Sequence, residues 1–254
     1  MKESNEEGSV YAAKSWYFIQ EDAGRAEGPV FAKIEEAVRK GLSCSAHDLE
    51  HVNRVVKTCG LLAQGQREVD RVVLLAAALL HDIARVREDE DKTGNIDHAV
   101  LGAELARGIL MDSGFPAAKI GHVQECIRAH RFRSGHHPAT IEAKILFDAD
   151  KLDALGAVGI ARSFILAGQF GEPLYLDINI ASYQQVNVTE NGRVKDIQLH
   201  APNIEYEVKF KKIPARLYTE EARKLAEERL EYMDEFYARL AEEITGDRRG
   251  LING

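Results

Sequence analysis

"VVLLAAALLHDIAR", residues 72–85, is a run of nine apolar residues that closes on a histidine and an aspartate. The run is apolar nearly all round, which predicts a central buried helix over residues 68–84. His81 and Asp82 then arrive as two strongly polar ligating groups at its end. Asp82 cannot be buried as a bare anion, because an isolated carboxylate in apolar surroundings costs many kcal/mol or takes up a proton. A divalent cation resolves the conflict, since carboxylate oxygen and neutral imidazole hold such an ion together. Neighbouring helical residues point about 100° apart. His81 and Asp82 can therefore touch one ion beside the helix but cannot enclose it, so other helices must supply the remaining donors.

The rest of the chain has the composition to build such helices. Its 254 residues suit one large domain or two small ones, with 45% hydrophobic and 29% charged residues. A net charge of −8 argues against bulk nucleic-acid binding. No apolar stretch reaches the length of a membrane span. The acidic start MKESNEEGSV does not read as a signal peptide. Cys44, Cys59 and Cys126 form no CxxC pair and imply no disulfide framework, so a reducing cytoplasm is the expected compartment.

Helix punctuation is frequent. Residues 1–28 read as an N-terminal extension with an aromatic patch at Trp16, Tyr17 and Phe18, taken as packing. Pro29 predicts a helix to about Lys40, which Gly41 ends. Another helix begins near Ser45, with Leu49, Val52, Val55, Val56 and Cys59 apolar. Asp97 and Pro116 each stand at a helix start, and His130 ends the second of these helices. A long helix is expected over residues 140–168. After Gly168 alternation, β-branched residues and an Asn191-Gly192 turn signal predict a small β-hairpin insertion over residues 174–210. Thr219-Glu220-Glu221 then opens a charged amphipathic helix to about Thr245. The whole from residue 29 onward reads as one all-α domain with that insertion.

Candidate partners for His81 and Asp82 lie on two of these helices. His47 and His51, four apart in HDLEHVNRV, share a face, and His51 adjoins the apolar Val52 and Val55. The long helix offers LFDADKLDALG. Two histidines and two aspartates from three helices make a mixed N/O set without thiolates. Such a set suits Mn, Fe, Co, Ni, Mg or Zn better than a cysteine-rich structural zinc site does. Helical phase favours Asp148, which shares a stripe with Ile141, Ile145, Leu152 and Leu155, and puts Asp150 opposite.

HxxRV at residues 51–55, LLHDI at 79–83 and DADKLDALGAVGIAR at 148–162 together resemble the HD-domain superfamily of metal-dependent phosphohydrolases. The resemblance covers about residues 30–168. TEEARKLAEERLEYMDEF, residues 219–236, is similar to the C-terminal helix of a bacterial and archaeal branch that includes nucleotide hydrolases. The resemblance implies an all-helical fold and a divalent ion held by His51, His81, Asp82 and Asp150, the family pattern selecting Asp150 over Asp148. Some members carry an acidic pair just after the HD, where this chain has Ile83-Ala84-Arg85. No Gly-Tyr-Pro follows His136-His137, which argues against the family's cyclic-dinucleotide phosphodiesterase branch, and the pair reads as a surface loop.

The activity expected is attack of metal-activated water on a phosphorus centre of a small phosphorylated substrate, with a nucleotide implied by the resemblance. Asp148 or His98 would take the proton. His47, Arg54, His130 and Lys151 would contact substrate, the cations gripping phosphate; Arg162 is a further candidate cation. Two other readings fit the same residues. His51, His81, Asp82, His98, His130 and Asp150 suffice for two ions, as in a di-iron oxygenase, and a metal-bound ligand sensor would need no turnover.

Overall fold

A computed structural model describes residues 28–42, 49–131, 135–189 and 194–246. The chain divides into two compact units, Met1–Asp150 and Lys151–Gly254. In the first, α1 (Gly28–Gly41) matches the helix expected from Pro29 and buries Phe31, Ile34 and Val38, a single stripe of spacing three and four. Helix α2 (Leu49–Leu62) buries His51, Val52, Val55, Val56 and Cys59. The residues before it, including Ser45 and His47, lie outside those described.

The opening run forms α3 (Arg71–Leu80), in which every residue from Val73 to Leu80 is buried. It packs against α1, α2 and α6, as a helix with no polar face must. The Asp70 side chain caps it, accepting from the Val72 and Val73 N–H groups at 3.2 Å each. The helix is shorter than expected: residues 81–84 form a turn and a separate α4 (Arg85–Glu90) follows. The His81 ring donates to the Ala78 carbonyl at 2.8 Å, which is the acceptor a continuing helix would offer the Asp82 N–H. The backbone tightens instead through Ile83 N–H to Leu80 O and Arg85 N–H to Asp82 O.

Helix α5 (His98–Ser113) starts at Asp97, whose side chain accepts from Ala99 N and Val100 N. Helix α6 (Ala117–Ala129) follows Pro116 and ends at His130. These two pack side by side. Helix α7 (Ile141–Leu152) carries the DADK stretch. The long helix expected over residues 140–168 is in fact two. The chain turns at Asp153–Leu155 and restarts as α8 (Gly156–Phe170), with Gly156 at φ +73°, a left-handed conformation that suits glycine.

The second unit is also helical. The expected β-hairpin is replaced by α9 (Ile180–Asn187), α10 (Pro202–Val208) and short 3-10 turns. Among the described residues the one β feature is a lone antiparallel bridge between Val188 and Val194, and the Asn191-Gly192 signal lies outside them. Local caps explain the difference. Asn179 accepts from Ser182 N–H and opens α9, while Pro202 occupies the first turn of α10. Ile180, Tyr183 and Ile204 then meet in one apolar cluster with Ala201. Helix α11 (Glu220–Thr245) is capped by Thr219 and buries Ala222, Ala226, Met233 and Tyr237 along one stripe against α8 and its neighbours. Tyr237 stacks on Tyr206 with ring centres 4.7 Å apart. No helix among the described residues is long and apolar enough to cross a membrane.

Candidate metal centre

Four imidazoles from four elements of the first unit surround one carboxylate. His51 stands on the buried stripe of α2, His81 in the turn after α3, His98 at the first position of α5 and His130 at the C-cap of α6. Asp82 Oδ2 lies 3.7 Å from Nε2 of both His51 and His81. Its Oδ1 lies 3.5 Å from Nε2 of both His98 and His130. Asp150 on α7 brings Oδ1 to 3.4 Å from His51 Nε2. The four rings and Asp82 are all buried. Donor atoms fall into two convergent groups, His51, His81 and Asp150 on one side and Asp82, His98 and His130 on the other.

The hydrogen bonds at the far sides of the rings set which nitrogen faces inward. His81 Nδ1 meets the Ala78 carbonyl at 2.8 Å, and His130 Nδ1 meets the Ile127 carbonyl at 2.6 Å. A carbonyl only accepts, so each Nδ1 carries the proton, and in the neutral ring Nε2 then presents its lone pair. His98 Nδ1 lies 2.6 Å from Glu88 Oε2, with the same consequence. The Nε2 atoms of His98 and His130 are 3.2 Å apart. Both Nε2 atoms face the same oxygen of Asp82, Oδ1, at 3.5 Å. The donor set thus fits a divalent ion: inward imidazole nitrogens, carboxylate oxygens, and no thiolate.

Electrostatics favour ionised carboxylates at this centre. Burial pushes the Asp82 carboxyl up, but the neighbouring His81, His130 and His98 outweigh it and hold Asp82 well below the usual range. Burial drives the His81 imidazole below its ordinary value, against the pull of Asp82 and Asp150. Burial likewise pushes Glu88 up, and the His98 hydrogen bond with the charges of His98, Arg131 and Arg85 brings it below normal.

Of the other residues singled out in the sequence, Asp148 is fully buried on α7 but belongs to neither convergent group. Arg54 is partly exposed, with Nη1 3.9 Å from Glu50. Lys151 follows Asp150 on α7 and is partly buried. Arg162 pairs with Asp153. His136 and His137 are exposed, as a surface loop requires. His47 and the Trp16 patch lie outside the described residues.

Two residues at this centre escaped the sequence reading. Glu88 bonds His98, and Arg131 bridges Glu88 Oε1 at 2.9 Å and Asp97 Oδ2 at 2.7 Å. Both look like ordinary surface charges in REDED and AHRF. The one local hint is that a histidine at a helix N-terminus finds no preceding helical carbonyl and needs a remote acceptor.

Comparison with known proteins agrees with this architecture. The HD domain family model matches residues 48–155. The protein YpgQ of Bacillus subtilis is 31% identical over 206 residues, spanning 80% of this chain and 86% of YpgQ. A predicted HD superfamily hydrolase from an uncultured Thermotogales bacterium is 32% identical, with TM-score 0.56 over 85% of this chain and 93% of that one. The crystal structure of YpgQ in complex with ADP superposes with TM-score 0.60 at 26% identity, covering 85% of this chain and 96% of YpgQ. In fold, in the order of its histidines and aspartates, and in its relatives, the chain belongs to the HD-domain superfamily.

Proposed function

We propose that the protein is a metal-dependent phosphohydrolase that cleaves a phosphate or pyrophosphate bond of a nucleotide or related phosphoester. The observation that carries this reading is the convergence of four imidazole Nε2 atoms on the two oxygens of Asp82, with Asp150 beside them. His51, His81, Asp82 and Asp150 are the residues we assign to hold the ion, which is one of Mn, Fe, Co, Ni, Mg or Zn. A divalent ion bound there supplies hydroxide near neutral pH and positive charge against the phosphoryl oxygens.

The chain's own residues do the rest. His98 takes the proton of the attacking water on Nε2, the nitrogen its Nδ1 contact leaves as acceptor. We assign this step to His98 rather than Asp148, because Asp148 is in neither convergent group. Arg54 and Lys151 hold the phosphate chain, with His47 and His130 as further substrate contacts. A nucleotide is supported by the relative YpgQ, which has been crystallised with ADP. The test is a panel of nucleoside di- and triphosphates and simple phosphoesters, each with several divalent cations and with product identification. We expect metal-dependent release of phosphate or pyrophosphate that chelation abolishes. Binding of nucleotides with no bond cleaved under any metal would refute the reading in favour of a sensor.

The separation of the donors into two groups of three favours one alternative, a two-iron oxygenase with His98 and His130 as ligands. Oxygen consumption by anaerobically iron-loaded protein, with two irons per chain and no phosphate release, would replace the hydrolase reading with that one.

A further inference from the structure

We propose that Glu88 is a positioning residue, which fixes His98 as the Nδ1–H tautomer and so turns the Nε2 lone pair toward Asp82 and His130. The catalytic part of this inference rests on the proton-accepting role proposed for His98 above; the positional part does not.

The argument starts from where each histidine sits on its helix. His81 and His130 follow the last turns of α3 and α6. There the last carbonyls lack the i+4 partner of a continuing helix, and both rings use one, Ala78 O and Ile127 O respectively, the latter also receiving the His130 backbone N–H at 3.4 Å. His98 is the first residue of α5. A helix N-terminus offers spare N–H groups and no spare carbonyl, so this ring has no local acceptor for Nδ1–H. The acceptor comes from ten residues upstream: Glu88 Oε2 at 2.6 Å.

The fold spends several interactions to bring it there. The connection from α4 to α5 is wound around Asp91, whose carboxylate accepts from Thr93 N, Asn95 N and Ile96 N at 2.8 Å each and from the Thr93 hydroxyl at 2.5 Å. Arg131 then joins Glu88 to Asp97, the cap of the helix that bears His98. Arg85 adds a contact to Glu88 Oε2 at 3.2 Å. The Glu88 side chain is only 14% exposed, so water does not compete freely for its oxygens. With two guanidiniums keeping it ionised, Glu88 is an acceptor only, and the ring can meet it only as a donor. A carboxylate behind an inward-facing imidazole also makes the ring a better electron-pair donor.

The experiment is a long-range proton–nitrogen correlation spectrum of the full chain with 15N-labelled histidine. It is recorded free of metal near pH 8, with His98 assigned by its loss in His98→Ala. Wild type is expected to show a protonated Nδ1 and an acceptor Nε2 at His98. Glu88→Gln, whose amide oxygen still accepts, should retain that signature. Glu88→Ala should lose it to a mixture, with His81 and His130 unchanged. Thermal unfolding checks that each variant is folded. A wild-type His98 protonated on Nε2 would overturn the inference without any variant, and so would an unchanged spectrum in folded Glu88→Ala. Kinetics separate the two layers. If Glu88 positions a catalytic ring, Glu88→Ala lowers kcat about 10–100-fold with little change in KM, and Glu88→Gln recovers most of it. A lost tautomer with undiminished kcat leaves the positioning standing and refutes His98 as the proton acceptor. A fall in kcat with the tautomer intact refutes the positioning.

Discussion

Acidification should weaken the second unit through one carboxylate, Glu205. Its Oε1 lies 2.5 Å from Lys209 Nζ, and its Oε2 lies 3.4 Å from His200 Nε2. His200 in turn meets the Tyr183 hydroxyl through Nδ1 at 2.7 Å. Burial pushes the Glu205 carboxyl up, but Lys209 and His200 outweigh it and lower it from 4.5 to about 2. A depressed folded-state value means stability present in full above 4.5 and lost as pH falls toward 2. At roughly 1.4 kcal/mol for each pH unit of that gap the contribution is about 3 kcal/mol. Lys209 is 42% exposed, and solvent screening trims this toward ~2 kcal/mol. The assay is urea unfolding of wild type and Glu205→Gln, followed by circular dichroism, at steps from about pH 6 to about pH 2.5. Wild type should be the more stable by ~2–3 kcal/mol at the top of the range, and the two should converge at the bottom. A difference that stays flat across the range, or widens on acidification, would refute the electrostatic argument. Glu172 works in the opposite sense. Burial raises its carboxyl above 4.5, so ionisation costs stability as pH rises, and Glu172→Gln should stabilise the protein at neutral pH.

Asp82→Ala removes the carboxylate that lies within 3.7 Å of all four imidazoles, so bound metal and hydrolysis should vanish together; elemental analysis and a turnover assay read this, and wild-type turnover in the variant would count against the scheme. Asp70→Ala deletes the cap of α3 and the 2.8 Å ion pair with Lys119, which should cost about 1–2 kcal/mol in denaturant unfolding while leaving the metal stoichiometry unchanged. Gly159→Ala would set a Cβ 2.1 Å from the Ala154 carbonyl oxygen; backbone cannot yield as a flexible side chain can, so a loss of about 3 kcal/mol or more is expected, and an unaltered melting temperature would show that α8 relaxes freely.

The local signals in the sequence carried most of the fold. Asp97, Pro116 and Thr219 stand at helix starts because capping is decided within three residues. The all-round apolar character of residues 72–80 was enough to mark the innermost helix. What failed was the handling of competing local signals. Alternation around residues 174–180 suggested strand, yet Asn179 and Pro202 were cap signals in plain view and prevailed once Tyr183 and Ile204 could pack. The apparent long helix over residues 140–168 hid a break at Gly156, because glycine reads alike in a helix and in a left-handed turn until φ is known. Helical phase favoured Asp148 and the family pattern Asp150; Asp150 Oδ1 lies 3.4 Å from His51 Nε2, and Asp148 is fully buried on the same helix. Phase discriminates poorly on a helix packed on several sides, and both aspartates are largely enclosed. Glu88 and Arg131 were the hardest to read: their meaning comes from partners ten to forty-three residues away, which no periodicity records.

The central claim is that separate helices gather imidazoles and carboxylates around a common divalent ion. Crystals grown with Mn2+ and measured near the manganese absorption edge test it most directly. The account predicts an anomalous peak within bonding distance of His51, His81, Asp82 and Asp150. Strong anomalous signal elsewhere with these four side chains turned to separate partners, or no peak at saturating Mn2+, would contradict it.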